Sequence, residues 1–390
     1  VWAVPRPASP AVVGPPRRTN AISSPPAPYG VVHHSTGAWQ AASLMDDLPR
    51  YRTGDADLDR EIADLVSALD PADRELIFEM IVTAVRMSRE GVDRGDLKLV
   101  SAAAKELRYA VGVFAPYTDT RTCTIFGSAR IREGDPAYET AKDVAAAMAE
   151  RDWMVITGAG PGIMHAGHEG AGAERSFGVN IVLPFESSAN PVIADDPKLI
   201  NFRYFFTRKV MFMKESHAFV LLPGGFGTMD EAFELLTLIQ TGKTVPAPVV
   251  LLDPPGGLYW QRFREFVEIE LVSGGLISPD DLCLVKITDS VVEAVTEVTR
   301  FYRTYHSLRF VGSRLVLRLE RPIGDEEVAA LNEEFADIVE RGVIERIDAT
   351  DAEVRDRDEL GRHRLAFRFD RHHWARLRLL IDRLNRGGAS

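Results

Sequence analysis

Cysteine is nearly missing from this 390-residue chain: only Cys123 and Cys283 occur, both inside apolar runs. Two isolated thiols exclude a disulfide framework or a zinc ribbon and read as buried groups in a reducing compartment. Positive charge is also in short supply. Against 57 Asp and Glu stand 46 Lys and Arg, a formal net charge of −11. That balance argues against a general nucleic-acid-binding protein, because sequence-independent phosphate contact needs clustered basic surface. A small anionic ligand stays open, since a pocket can be locally positive on an acidic protein. No apolar run approaches the roughly 20 residues of a membrane helix, and the amino-terminal segment lacks the continuous apolar stretch of a signal peptide. No G-x-x-x-x-G-K-[ST] occurs, so a P-loop ATPase has no support. These absences predict a cytoplasmic protein with neither a membrane nor a nucleic-acid partner.

What remains is ordinary globular composition, 45% apolar and 26% charged, in a chain long enough for one large domain or two smaller ones with appendages. Residues 1–46 carry repeated prolines (Pro15-Pro16, Pro25-Pro26) and little periodicity, which predicts a disordered tail. Over 47–115 the pattern is helical. Leu58, Ile62, Leu65 and Leu69 form one stripe, Pro71 opens a second helix, and a third spans about 97–113. This preface shows no polar constellation and reads as packing. Over 116–305 short apolar strands (122–126, 153–156, 178–183, 218–222, 248–252, 282–287) alternate with amphipathic helices (137–151, 163–174, 204–216, 229–240, 259–272, 291–302). That alternation predicts an α/β fold: a Rossmann-like, doubly wound parallel sheet covered on both faces. After residue 305 the pattern changes to a β-α-β-β-α run over 306–390 (strand 309–319, helix 325–341, strands 343–347 and 364–369, helix 373–385), which reads as a small α+β accessory domain. Its last helix, 373–385, carries Arg376, Arg378 and Arg383, with Arg386 just beyond, read as a solvated face.

Three glycine-containing turns follow strands, where ligands bind in such sheets. The strongest runs from Leu222 to Glu231 and reads LPGGFGTMDE. Gly224, Gly225 and Gly227 let backbone approach a ligand closely, and the first helical amides present the positive end of the dipole to a phosphate. Thr228 and Glu231 also have the T-x-x-E spacing of a capping box, which would satisfy amides and nothing more. A plain cap does not need three glycines, which tilts the balance toward a ligand. The second turn is TGAGPGIM, with Gly158, Gly160 and Gly162. Its third glycine comes one residue too early for G-x-G-x-x-G, and no acidic residue stands about 20 positions on, so dinucleotide binding is weak. The third is Gly127-Ser128 after the first strand. Three such turns at one sheet edge are better explained by a nucleotide than by three separate structural accidents. Arg208 and Lys209 sit early on an otherwise apolar helix, either as a snorkelling surface pair or as cations reaching the phosphate or ribose. His165, His168 and Glu169 have the spacing of a metal half-site without a third ligand, so no metal is expected.

These residues resemble the Lonely Guy (LOG) family, the cytokinin riboside 5′-monophosphate phosphoribohydrolases and their bacterial AMP-hydrolysing relatives. The likeness runs over about 122–299 and rests on the pair R-K-x-x-M and P-G-G-x-G-T-x-x-E. The second is complete from Pro223 to Glu231. The first is partial: Arg208 and Lys209 are present, but Phe212 replaces the methionine. Ala159 and His165 depart from common family residues too. The resemblance implies that Arg208 and Glu231 are the catalytic pair and that Gly224, Gly225, Gly227 and Thr228 form the phosphate cradle. It extends nucleotide contact less securely to Glu186 and Thr237. It also implies a homodimer or higher homo-oligomer with sites near the subunit interface, acting on a nucleoside 5′-monophosphate without a cofactor.

The chemistry suits these residue types. Breaking an N-glycosidic bond builds positive charge on the ribose, which a carboxylate can stabilise while orienting or deprotonating a water. Such relatives are sometimes labelled lysine decarboxylases, a chemistry that needs a pyridoxal-phosphate lysine with partners for its ring; no such set is visible here. A non-catalytic nucleotide sensor is the second reading.

Overall fold

A computed structural model describes residues 49–69, 71, 73–183 and 189–387. The expected tail over 1–46 and Glu186 therefore lie outside the described residues. The helical preface comprises α1 (Ala56–Leu69), α2 (Arg74–Arg89) and α3 (Arg94–Phe114). Helices α1 and α2 close a small core of their own, in which Ile62, Ala63 and Val66 meet Phe78 and Val82. Helix α3 instead inserts Ala110 and Phe114 into the main core, where the Phe114 ring stacks on Phe177 at 4.3 Å.

The centre runs β1 (Thr122–Phe126), α4 (Pro136–Ala149), β2 (Met154–Thr157), α5 (Ile163–Ala171), β3 (Ser176–Ile181), β4 (Leu199–Phe202), α6 (Phe205–Glu215) and β5 (Ala218–Leu221). It continues with α7 (Phe226–Gln240), β6 (Val249–Leu252), α8 (Tyr259–Phe266), β7 (Val285–Thr288) and α9 (Val291–Phe301). All seven strands pair in parallel, in the order β4-β3-β2-β1-β5-β6-β7. Because side chains alternate along a strand, neighbouring residues feed two cores. Phe126, Ile156, Phe219 and Leu221 pack with α6, α7 and α8, while Ile125, Val155, Val220 and Leu222 pack with α4, α5 and α9. The doubly wound sheet foreseen from the alternation is present.

Strand β4 is the one strand of this sheet that hydropathy did not foresee. It is a four-residue edge strand with no helix among the described residues between it and β3, and its outward Asn201 accepts a hydrogen bond from Asn180 Nδ2 at 2.8 Å. The helix expected over 259–272 is α-helical only to Phe266 and widens to a π-helix over Val267–Val272.

Beyond α9 lies a four-stranded antiparallel sheet, built from β8 (Tyr305–Val311), β9 (Arg314–Leu319), α10 (Asp325–Glu334), β10 (Val339–Arg346), α11 (Asp351–Asp356), β11 (His363–Phe369) and α12 (Trp374–Arg386). The single strand expected over 309–319 is a hairpin turned at Gly312, whose φ of +60° suits a residue without Cβ. The helix expected over 325–341 ends at Glu334, and the chain pairs as β10 from Val339. Helix α12 is not a solvated basic face. Arg378 is 3% exposed and donates to Glu297 and to the Ala247 carbonyl, Arg376 pairs with Asp337, and Arg383 pairs with Glu334. Among the described residues no helix is long and apolar enough to cross a membrane.

Candidate active site at the sheet switch point

The strand order reverses at β1, which lies between β2 and β5, and open parallel sheets leave a crevice at such a point. Three turns meet there, and Ser128 ties them. Its amide donates to the Pro223 carbonyl at 3.2 Å, and its carbonyl accepts from the Ile163 amide at 3.1 Å. The fit leaves no room for side chains. A Cβ on Gly127 would fall 2.6 Å from Ile163, and one on Gly162, where φ is +68°, would fall 2.4 Å from the Ser128 carbonyl. Gly158 faces the Arg208 guanidinium across 3.5 Å from its would-be Cβ, and Gly160 lies under the Met164 thioether end.

Helix α7 starts at Phe226 with Gly225 as its N-cap and no side-chain cap. Thr228 is thus the third residue of the helix, and Glu231 lies on the following turn. The capping-box reading of this pair is overturned. The first intrahelical bond runs from the Met229 amide to the Gly225 carbonyl, so the amides of Phe226, Gly227 and Thr228 precede the ladder as anion donors. Gly224 is required for a steric reason, since a Cβ there would lie 2.1 Å from Thr228 Oγ1, whereas Gly225 and Gly227 face open space. Tyr259, on α8, donates its hydroxyl to the Gly224 carbonyl at 2.7 Å and steadies the turn.

Arg208 on α6 and Glu231 on α7 come together, Nη2 to Oε1, at 3.9 Å, with side chains 11% and 5% exposed. Burial raises the pKa of Glu231, against a partial pull downward from Arg208 and Lys209. The guanidinium also lies over the rings of Phe205 and Phe212, at 5.6 and 5.3 Å. Phe212, at the position where family members carry methionine, is fully buried against Phe126 and supplies an aromatic floor for that cation.

Lys209 is not brought to the turns. Its Nζ sits 2.8 Å from both Asp230 and Glu234; burial alone would lower its pKa, but these carboxylates outweigh that and leave it raised. Thr237 is exposed and shares a shallow groove with Lys209, Asp230 and Glu234. It lies ~9 Å along α7 from Glu231. The phosphate or nucleotide contact expected of Lys209 and Thr237 therefore has no support in this geometry.

Several residues escaped sequence reasoning. Glu106 on α3 accepts from the Arg203 amide at 3.0 Å and from Thr207 Oγ1 at 2.7 Å, anchoring the start of α6 one residue before Arg208. The helical preface thus does carry a polar contact to the site. Asn190 and His168 form a buried pair beneath the Gly158–Gly162 turn. His168 is held neutral by burial, which pushes its pKa down to about 4. His165 instead meets the Tyr138 hydroxyl, which donates to Glu169. Nothing about Glu106, Asn190 or Tyr259 in the sequence separates them from other polar residues; only the fold brings them to the turns.

Over 162 residues, 40% of this chain and 82% of the relative, the sequence is 31% identical to the cytokinin riboside 5′-monophosphate phosphoribohydrolase of Mycobacterium tuberculosis. The chain belongs to the LOG family. A second LOG protein, the cytokinin riboside 5′-monophosphate phosphoribohydrolase LOG of Oryza sativa subsp. japonica, is 28% identical over 193 residues, 47% of this chain and 75% of its own. A family model described as "Possible lysine decarboxylase" matches residues 160–298 of this LOG protein. Among solved structures, the molybdenum cofactor carrier protein of Chlamydomonas reinhardtii aligns with 46% of this chain and 97% of its own at 20% identity. Its TM-score of 0.33 is too low to support a functional statement.

Proposed function

We propose that this LOG-family protein hydrolyses the N-glycosidic bond of a nucleoside 5′-monophosphate, AMP or a cytokinin riboside monophosphate, giving free base and ribose 5-phosphate. The observation that carries the reading is the buried Arg208–Glu231 pair at 3.9 Å, next to a helix start whose Gly225 and Gly227 face open space. The activity for which the mycobacterial and rice relatives are named agrees with it.

In this mechanism the phosphate rests on the first amides of α7, and Arg208 holds the substrate. As the bond from the anomeric carbon to the base nitrogen breaks, positive charge develops on the ribose, and Glu231 stabilises it. The same carboxylate orients the water whose oxygen bonds to the anomeric carbon, while a proton ends on the departing base. Binding energy from the remote phosphate is used at the reacting carbon, so unphosphorylated nucleosides are poor substrates. Lysine decarboxylation gains no support from Lys209, an ammonium locked between two carboxylates. Exposed apolar side chains on the same two helices, Phe205, Phe206 and Val210 on α6 and Phe226 and Phe233 on α7, favour a homodimer with the sites near its interface.

The test is a panel of nucleoside monophosphates, including AMP and isopentenyladenosine monophosphate, followed by chromatography of base and ribose 5-phosphate. Products that vanish in Glu231→Gln support the enzyme. Tight binding without products supports a nucleotide sensor, and equal turnover of adenosine and AMP refutes the role given to the phosphate.

A further inference from the structure

The turn after β2 is gripped from inside the protein by two side chains that the mechanism above does not use. The Asn190 amide donates to the Ala159 carbonyl at 2.8 Å, and Asn190 Nδ2 reaches the carbonyls of Ala159 and Gly160 at 3.0 and 3.1 Å. Behind Asn190 stands His168, fully buried. The partners of its ring fix its tautomer. The Phe177 carbonyl, 3.0 Å from Nε2, can only accept, so Nε2 carries the hydrogen. Thr157 Oγ1, also 3.0 Å from Nε2, gives its own hydrogen to the Met164 carbonyl at 3.3 Å and accepts from the Ala159 amide at 3.0 Å. Nδ1 is then an acceptor, and its donor is Asn190 Nδ2 at 3.1 Å. One hydrogen of the Asn190 amide serves the histidine and the other the turn.

We propose that His168 and Asn190 are positioning residues for the substrate, a pair that orients the Ala159–Gly160 peptide next to Gly158, which faces the Arg208 guanidinium. The proposal rests on the nucleotide reading of these turns. Ala159 is buried with φ at 60°, a left-handed conformation that a residue with Cβ avoids unless its surroundings impose it. The Asn190 contacts impose it. In a planar trans peptide the N–H points opposite the C=O. Drawing the Ala159 carbonyl inward therefore turns the Gly160 N–H away from Asn190, as a donor for a ligand. Pro161 follows and has no N–H, so the turn presents this one amide between Ala159 and Gly162. Without the acceptor at Nδ1, the Asn190 side-chain amide is free to rotate, and the turn keeps only the Asn190 backbone amide as its inner partner.

The experiment uses the full chain and three variants. His168→Phe keeps the ring volume without its nitrogens, Asn190→Ala removes the link at the edge of the network, and His168→Asn returns an acceptor close to Nδ1. Backbone hydrogen exchange over residues 157–164 is followed without nucleotide, alongside AMP hydrolysis kinetics. Faster exchange is expected in the turn alone for His168→Phe and Asn190→Ala. KM should rise roughly tenfold or more while kcat stays within about threefold, and His168→Asn should recover both in part. Unchanged exchange overturns the proposal independently of catalysis, and Asn190→Ala keeps that result accessible if the phenylalanine variant does not fold. Faster exchange with an unchanged KM overturns the link to substrate. A wild-type protein that neither binds nor cleaves monophosphates refutes the nucleotide reading and the substrate role with it, while exchange still reports whether the pair holds the turn.

Discussion

Two glycines at the start of α7, Gly224 and Gly227, should respond to the same substitution in opposite ways. In Gly227→Ala the new methyl group meets nothing within 4 Å, and the residue already lies in the helix. Removing a glycine's freedom from the unfolded chain stabilises by about 0.4–1 kcal/mol at a compatible site, which raises Tm by roughly 1–4 °C for a domain of this size. The same methyl group enters the space assigned to the phosphate. Losing one charge-assisted hydrogen bond there costs about 1.5–3 kcal/mol, or roughly 10- to 150-fold in KM. Gly224→Ala is the opposite case. Its Cβ would collide with Thr228 Oγ1 at 2.1 Å, an overpacking that costs about 1–3 kcal/mol and lowers Tm. Differential scanning fluorimetry and a base-release assay on both variants read out the two effects. A Gly227→Ala protein that is more stable but has an unchanged KM would put the phosphate elsewhere and refute the cradle. A loss of stability in Gly227→Ala would refute the reasoning from open space.

Other outcomes follow from the same geometry. In the proposed mechanism Glu231 works as a carboxylate, and burial raises its pKa. The rate should therefore fall on the acid side at a pH above the ordinary carboxylate range, and a pH profile of kcat/KM checks this; a limb that persists in the residual activity of Glu231→Gln would assign it to another group. In the accessory sheet, Glu353 is fully buried between Arg318 and Arg364. Its loss in Glu353→Ala takes from Arg364 its buried carboxylate, leaves Arg318 with Asp358 alone, and should cost about 3–5 kcal/mol in urea unfolding. Burial acts to raise the pKa of Glu353, but Thr350 and Arg318 outweigh it and hold it at about 2, below its ordinary 4.5. The stabilisation is then complete above 4.5 and lost as pH falls from there toward 2. Gly242, where φ is +66° and a Cβ would fall 2.0 Å from the Trp374 ring, should tolerate alanine poorly, with a loss exceeding about 1–3 kcal/mol; thermal melting measures it.

The elements legible in the sequence were those whose pattern is set by burial on both sides. Strands such as Ala218–Leu221 and Val249–Leu252 are apolar throughout because helices cover both faces of the sheet. Strand β4 was hidden because an edge strand buries only alternate residues and here follows a loop. Residues 335–346 were read as helix continuing into a strand from 343, because period 3.6 and period 2 are hard to separate over a few residues. At the site, the glycines, Arg208 and Glu231 could be read locally, since each turn follows its own strand. Lys209 is harder to read, because a helix carries adjacent residues about 100° apart: Arg208 reaches Glu231 while Lys209 pairs with Asp230 and Glu234. Asn190 and Tyr259 reach the turns, and Glu106 the start of α6, from 30 to 101 residues away in the chain, a separation that no local pattern records.

The two charges of the central ion pair are mounted on helices tethered to the two segments that flank the parallel sheet in sequence. Glu106, from the amino-terminal preface, grips the first turn of α6, while Trp374, on the carboxyl-terminal helix, seats against Gly242 just past the end of α7. The distance between Arg208 and Glu231 is therefore a gauge of both tethers. Removing α3 or α12 would recalibrate that gauge even though every residue at the crevice were left intact.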